Sequence, residues 1–336
     1  MSPAVLDQVL QCLPRTGVSL VFGYGSKVIK QAGAVSRNDL VDVIVAVDDP
    51  YRWHEENLER NNHHYSLVRL LPTAAKKVTW LQEEFGAKVY FNPYVNINNL
   101  AMKYGVIKTD HLIQDLTYWD ELYIAGRLHK PVEFLINTCD KNETLRKALR
   151  FNKESALRAA LLQLPENFDR IRLYETITGL SYHGDVRMAF AEDKNKVRNI
   201  AEAQCERFDQ LYLPILKMSP GFKDVVHWSE SGRRFNQDQS INTLLRHLKL
   251  LPRGLKRSIC QIHQSEVKVN ESEIVLASLA RNINCDRIVV DAIGTIVRKS
   301  SRSQALKGLI TAGFFKSLRY SQRKLIKSLA SRFSFL

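Results

Sequence analysis

A glycine–serine turn between two apolar strands, the second opening on a carboxylate, constrains this chain more than any other feature. Phe22-Gly23-Tyr24-Gly25-Ser26 ends a first apolar run, and Val41-Asp42-Val43-Ile44-Val45-Ala46-Val47-Asp48-Asp49 forms the next. Glycine lets backbone N–H groups come close to phosphate, and a helix starting at such a turn adds the positive end of its dipole. A charge inside an apolar strand either marks a strand end or has a function, since an unpaired buried carboxylate is costly. On the functional reading, Asp42 offers hard oxygen to Mg²⁺, which binds through one or two carboxylates plus substrate phosphates. Gly-Ser pairs alone are mostly ordinary turns. Their combination with Asp42 points to a nucleoside triphosphate held together with a divalent metal.

The 336 residues suggest two domains and an appendage, and 45% hydrophobic residues are enough to bury a substantial core. A net charge of +14 points to an anionic partner: nucleic acid, nucleotide or acidic lipid. The excess is uneven, because no acid follows Asp291 whereas Arg298, Lys299, Arg302, Lys307, Lys316, Arg319, Arg323 and Lys324 do. Cys12, Cys139, Cys205, Cys260 and Cys285 are scattered and never spaced C-x-x-C, which reads as reduced, mostly buried thiols without a zinc site. No apolar run reaches the roughly 18 residues of a spanning helix. The N-terminal stretch, with Asp7 and only Arg15 as a base, is a poor match to an Arg-rich transit peptide.

Apolar spacing predicts a helix over residues 3–14, strands at Ser19–Phe22 and Asp42–Val47, and a polar segment at Asn57–Ser66. A helix over Leu67–Phe85, strands at Lys88–Asn92 and Tyr104–Lys108, a helix at Asp110–Trp119 and a strand at Val132–Ile136 follow. Strands interleaved with helices imply an α/β or α+β core, and the absence of GxGxxG and GxxxxGK[ST] removes the Rossmann and P-loop turns. From Glu143 the pattern is helical: Thr144–Leu164, Tyr174–Tyr182 and Lys194–Leu216, then a mixed stretch with Trp228 and Leu244–Leu251 that leads to a further helical segment, Glu271–Asn282. The expected architecture is α+β, with a catalytic sheet domain over 1–142, a mainly helical domain over 143–297 and a basic tail over 298–336.

In that tail Leu318, Leu325, Ile326, Leu329 and Phe333 fall on one helical face and cations on much of the rest. This is the profile of an interfacial helix lying on an anionic membrane surface.

Several longer blocks carry a resemblance. They are Tyr24-Gly25-Ser26, Gln31-Ala32-Gly33, Trp53-His54, His64-Tyr65-Ser66, Lys103-Tyr104-Gly105-Val106-Ile107, Leu122 to Leu128 and Lys130-Pro131-Val132. Gly179-Leu180-Ser181-Tyr182, Gly184-Asp185, Arg187-Met188, Glu192-Asp193-Lys194 and Thr311-Ala312-Gly313 extend them. From about residue 17 to 315 the chain resembles the mitochondrial translocator assembly and maintenance family, phosphatidate cytidylyltransferases of the matrix side of the inner membrane. The resemblance implies a nucleotidyltransferase-type mixed sheet domain, a winged-helix-like helical domain and a membrane-docking C-terminal helix. It implies CTP and phosphatidic acid as substrates, Mg²⁺ as cofactor, and CDP-diacylglycerol, a precursor of cardiolipin and phosphatidylglycerol, as product.

The residues suit that chemistry. Phosphatidate is already anionic, so the demand is electrostatic stabilisation and in-line positioning rather than a strong base. Asp42, Ser26 and Lys103 are the expected catalytic residues. Tyr24, Gly25, Ser26, Lys103, Arg127, Lys130, Arg187 and Lys194 are expected around the nucleotide, with Asp42 and Asp48 as metal ligands. The nucleotidyltransferase pattern has two acids two residues apart, whereas Asp42 is followed by Val43 and Ile44. Asp48 lies about 20 Å along an extended strand from Asp42, so it can share one metal only if the strand bends; Asp115 and Asp185 are other candidates. Two rival readings stand beside the enzyme: an RNA-directed nucleotidyltransferase, which lacks the expected aromatic–basic interleaving, and a non-enzymatic membrane assembly factor. No nucleic-acid partner is expected.

Overall fold

A computed structural model describes residues 3–25, 28–29, 40–97, 100–186, 188, 195–229, 234–267 and 272–312. The N-terminal half runs α1 (Pro3–Cys12), β1 (Val18–Tyr24), β2 (Leu40–Val47), α2 (Pro50–Arg60), α3 (Ala74–Glu84), β3 (Val89–Ile97), β4 (Leu100–Lys108), α4 (Thr109–Tyr118) and β5 (Glu133–Asn137). Its strands form one mixed sheet in the order β3-β4-β2-β1-β5. The β2–β4 pair is parallel and the other pairs are antiparallel. The second half comprises α5 (Glu143–Leu161), β6 (Asn167–Asp169), α6 (Arg170–Gly179), α7 (Lys196–Ala203), α8 (Cys205–Met218), β7 (Val226–Trp228), β8 (Arg234–Gln237), α9 (Ile241–Lys249), α10 (Arg253–Val267), α11 (Ser272–Leu279) and α12 (Cys285–Ala312). Here β6, β8 and β7 make a small antiparallel sheet. The α+β class expected from the sequence is the one observed.

Strand alternation decides which residues meet which core. Leu20 and Phe22 of β1 and Ile44 and Ala46 of β2 point to one face, where they join Leu145, Tyr174, Phe208 and Leu255 of the helical half in a single core. Val21, Val41, Val43, Val45 and Val47 point to the other face and pack with Val9, Leu13 and Trp53 from α1 and α2. Burial on both faces explains why β2 reads as a continuous apolar run rather than an alternating one.

Several elements differ from the sequence expectation. Helix α2 runs through Arg60, across half of the segment read as polar, because Asp49 caps it by accepting from Arg52 N at 3.1 Å and Pro50 fits its first turn. The helix expected over Leu67–Phe85 is split into a short 3-10 helix, Leu67–Leu70, and α3, with Pro72 and a left-handed Thr73 (φ 56°) between. Lys194–Leu216 is likewise divided at Gln204, and β3 and β4 extend beyond the expected strands. Helix α10 was not among the elements expected from the sequence. Among the cysteines only Cys285 is buried; the other four are half-buried free thiols.

Helix α12 passes residue 297 unbroken and carries the chain back to the first sheet. Gln304 accepts from Ala87 N at 3.0 Å and donates to Val89 O at 3.2 Å. Lys307, buried, donates to Phe85 O at 2.8 Å and Gln82 O at 3.2 Å, which caps the end of α3. Gln304 and Lys307 therefore give this part of α12 a structural role. The apolar tail positions from Leu318 onward lie outside the described residues. No helix among the described residues is long and apolar enough to cross a membrane.

Candidate active site

Three rungs cross β1, β2 and β4 on the face that carries the main core. The first is Leu20·Ala46·Ile107 and the second is Phe22·Ile44·Gly105. The third is Tyr24·Asp42·Lys103. Two rungs are apolar and buried; the third turns polar where the core ends. The sequence spacing made this inevitable once the register was set, because residues 20, 22 and 24 share a face with 42, 44 and 46.

Gly25 continues from this rung with φ +86°, a left-handed conformation that glycine adopts without strain. A Cβ built there would stand 3.5 Å from Asp42 Oδ2, so the turn and the carboxylate do converge. Val28 N and Ile29 N both donate to Gly25 O, at 3.1 and 3.0 Å, so Val28 and Ile29 fold back onto the glycine carbonyl. Ser26, Arg187 and Lys194, three of the expected site residues, lie outside the described residues.

Of the remaining expected cations, Lys103 and Arg127 meet this rung, whereas Lys130 is held against Ser181 and Tyr182. Lys103 Nζ sits 4.4 Å above the Phe91 ring, and that ring fills the space Gly105 leaves open: a Cβ on Gly105 would come within 2.6 Å of it. Arg127 stacks on Tyr123 at 4.1 Å and lies 5.3 Å over Tyr24, and it donates to Tyr123 O. Burial raises the Tyr24 phenol, the charge of Asp42 raises it further, and Arg127 and Lys103 pull it back. One tyrosine thus feels the carboxylate and both cations at once. Lys130 donates to Ser181 Oγ at 2.7 Å and to Gly126 O at 2.5 Å, and it approaches the Tyr182 ring, as does Lys196.

Arg127 and Lys130 belong to an irregular segment, Leu122–Lys130, pinned from three sides. Asp115 of α4 accepts from the backbone N–H of Ile124 (2.8 Å), Ala125 (2.9 Å) and Tyr123 (3.2 Å) through one oxygen. Asn152 of α5 donates to Ala125 O and accepts from Trp119 Nε1. Tyr212 of α8 donates to His129 O. A segment held this firmly can present two cations without losing much entropy when an anion binds.

Asp48 is elsewhere. It lies beyond the far end of β2, where it accepts from Ser19 Oγ at 2.5 Å and Thr109 Oγ1 at 2.9 Å. The strand between it and Asp42 is regular, so the roughly 20 Å separation stands and the two cannot hold one ion. Asp115 is likewise committed to the backbone it caps, with burial raising its carboxyl and those backbone hydrogen bonds opposing the rise. Among the described residues no three acidic, histidine or cysteine side chains cluster as a metal cage.

Comparison with known proteins identifies the family. Residues 6–327 match the family described as phosphatidate cytidylyltransferase, mitochondrial. The chain belongs to this family. A zebrafish (Danio rerio) protein named phosphatidate cytidylyltransferase, mitochondrial is 42% identical over 92% of this chain and 90% of its own length. Proteins of the same name from Xenopus laevis (41%, 96% of this chain, 94% of theirs) and Drosophila melanogaster (38%, 94% and 96%) are similarly related.

Two of the blocks that mark this cytidylyltransferase family in the sequence serve the scaffold rather than the rung. His54, fully buried, receives the Tyr65 hydroxyl at 2.7 Å on Nδ1, which leaves Nε2–H to donate to Gln82 Oε1 at 2.9 Å. Asn57 donates to both Tyr65 and Tyr104 hydroxyls, and the Tyr104 hydroxyl is hydrogen-bonded with His64 Nδ1 at 3.0 Å. Burial lowers His54 to about 4, so it stays neutral. Asn152, Tyr212 and Gln304 carried no pattern in the sequence, because their partners lie dozens to hundreds of residues away.

Proposed function

We propose that this protein is a phosphatidate cytidylyltransferase: it transfers CMP from CTP to phosphatidic acid, giving CDP-diacylglycerol and pyrophosphate. The observation that carries the reading is the Tyr24·Asp42·Lys103 rung beside the left-handed Gly25, in a chain of this family. A divalent cation fits this donor set, because Mg²⁺ needs only one or two protein carboxylates when phosphates supply the rest, and Asp42 offers hard oxygen at the turn. Asp42 would hold it. When bound, the ion supplies charge neutralisation for the triphosphate and for the departing pyrophosphate.

The chain's own residues supply orientation and field. The turn after Gly25, with Ser26 in it, receives the β- and γ-phosphates, since no side chain on Gly25 obstructs their approach. Lys103, resting on Phe91, sits opposite Asp42 and neutralises charge developing toward the leaving group. Arg127 and Lys130, with Arg187 and Lys194 from the helical half, draw the phosphatidate headgroup to the same point. No general base is required, because the attacking phosphate oxygen is already ionised at neutral pH. Packing of the helical half over the core face of the sheet limits water, which would otherwise compete as the nucleophile. The small β6-β8-β7 sheet with its flanking helices is compatible with a winged-helix-like unit.

The lipid substrate places the protein at a membrane, and the names of its relatives place them in mitochondria. We assign it to the matrix face of the inner membrane as a peripheral protein, held in part by the basic amphipathic positions 318–333. The deciding experiment incubates purified protein with CTP, phosphatidate vesicles and Mg²⁺ and follows CDP-diacylglycerol and pyrophosphate. Equimolar formation of both, abolished by EDTA and much weaker with ATP or GTP, is expected; no CTP-dependent lipid product overturns the reading.

A further inference from the structure

Around the 3-10 helix Leu67–Leu70 the protein exposes an apolar surface that neither the catalytic rung nor the core uses. Leu67 and Leu70 are 71% and 70% exposed, Trp80 is 55% exposed, and Leu71 and Phe85 are also open to solvent. The sequence explains why they point outward. Val68 and Leu81 turn inward onto Tyr65, Val78 and Tyr90, and Pro72 with the left-handed Thr73 breaks the chain so that Leu70 and Leu71 cannot follow. Trp80 stands on the outer face of α3, opposite Ala75, Val78 and Gln82, and meets Phe85 edge-to-face at 4.9 Å. The 3-10 helix packs on both α3 and α12, and Leu306 of α12, 62% exposed, adjoins the Lys307–Phe85 hydrogen bond. Exposed apolar side chains thus stand on three elements that pack on one another, more than isolated exposed leucines would explain.

Charge decides what it meets. Arg69, Lys76, Lys77 and Arg302 are exposed on these elements and outnumber Glu83 and Glu84. Apolar side chains interleaved with cations suit an anionic lipid surface, where the first enter the acyl boundary and the second face phosphate. The chain's own segment 313–336 would be a poor cover, because it carries Lys316, Arg319, Arg323, Lys324, Lys327 and Arg332 and no acid. Like charges repel across such a contact.

We propose that Leu67, Leu70, Leu71, Trp80, Phe85 and Leu306 form a second membrane-docking surface, which inserts into the headgroup region of an anionic bilayer independently of the C-terminal tail. Because Gln304 and Lys307 lock α12 to the α3–β3 junction, this surface and the start of the tail move as one body. Two attachments on one rigid frame fix the orientation of the sheet relative to the membrane, which a single attachment cannot do. The choice of a bilayer over another partner rests on the lipid-substrate reading, and the test separates the two.

The test uses the full chain and flotation with vesicles of phosphatidylcholine alone or mixed with phosphatidylglycerol. Leu70→Glu combined with Trp80→Glu should weaken binding to the anionic vesicles by roughly tenfold or more. Melting temperature and turnover on detergent-dispersed phosphatidate should stay at parental levels, since neither side chain is buried or near the rung. Brominated lipids should quench tryptophan emission in the parent, and Trp80→Phe should remove most of that quenching, because Trp53 and Trp119 are buried and Trp228 is half-buried against Phe235 in the small second sheet. A loss of binding below about threefold, or quenching that survives Trp80→Phe, overturns the proposal. A concentration-dependent dimer that the double variant abolishes, with vesicle binding unchanged, would assign the surface to a second copy instead. Absence of turnover in detergent in the parent itself would sink the enzymatic reading and leave the docking result standing.

Discussion

Asp42 and Lys103 are direct register partners across the parallel β2–β4 pair, on the face of the sheet that carries the main core. The pairing puts a carboxylate and an ammonium side by side where the apolar rungs end. An acid there can hold a cation, and the lysine can meet the anions that the cation brings.

Replacing Asp42 by asparagine keeps the shape and removes the charge. Turnover of CTP with phosphatidate should fall by about 10²–10³-fold, the usual cost of losing one preorganised electrostatic group. Thermal unfolding should hardly change, as the side chain is only half-buried. Steady-state kinetics beside a melting curve checks this, and unimpaired kcat would remove Asp42 from the site.

Asp115 should be more important to the fold than to the chemistry. Asp115→Ala strands three backbone N–H groups and should cost about 3 kcal/mol or more. Asp115→Asn keeps one accepting oxygen for them and should cost less than half as much. Urea denaturation of both variants tests the ordering; equal losses would mean that the hydrogen bonds to Tyr123, Ile124 and Ala125 contribute little.

Acid should unfold the protein partly through His54. Its folded value of about 4 lies below the ordinary 6.5, so the unfolded chain binds a proton that the folded one refuses between those values. Stability therefore falls as pH drops from 6.5 toward 4. In His54→Gln, which is less stable at pH 7, the slope of unfolding free energy against pH across that window should be shallower. An identical slope would count against the buried neutral ring.

Alkali should act in the opposite sense through Lys307, which burial, with Lys88 nearby, pushes down to about 7. The unfolded lysine titrates near 10.4, so between these values the unfolded state holds the extra proton and stability rises with pH. Lys307→Met should flatten that rise between pH 7 and 10, measured by denaturant melts at stepped pH. Parallel curves for the two proteins would contradict it.

The elements of this protein were largely readable from one chain. Apolar runs gave β1 and β2, and the Gly25 turn beside Asp42 predicted the meeting that the fold displays. These are local properties, set by side-chain alternation and backbone freedom within a few residues.

What tertiary structure alone decided was partnership. Only the register of β2 against β4 selects Lys103 as the neighbour of Asp42, and only the regularity of β2 keeps Asp48 at its far end, bound to Ser19 and Thr109. Asp115 looked like a metal ligand and serves a backbone turn; residues 298–312 looked like free tail and clamp the first sheet. A hydrogen bond spanning more than two hundred residues leaves no periodicity behind, because its geometry exists only after the core has brought both ends together.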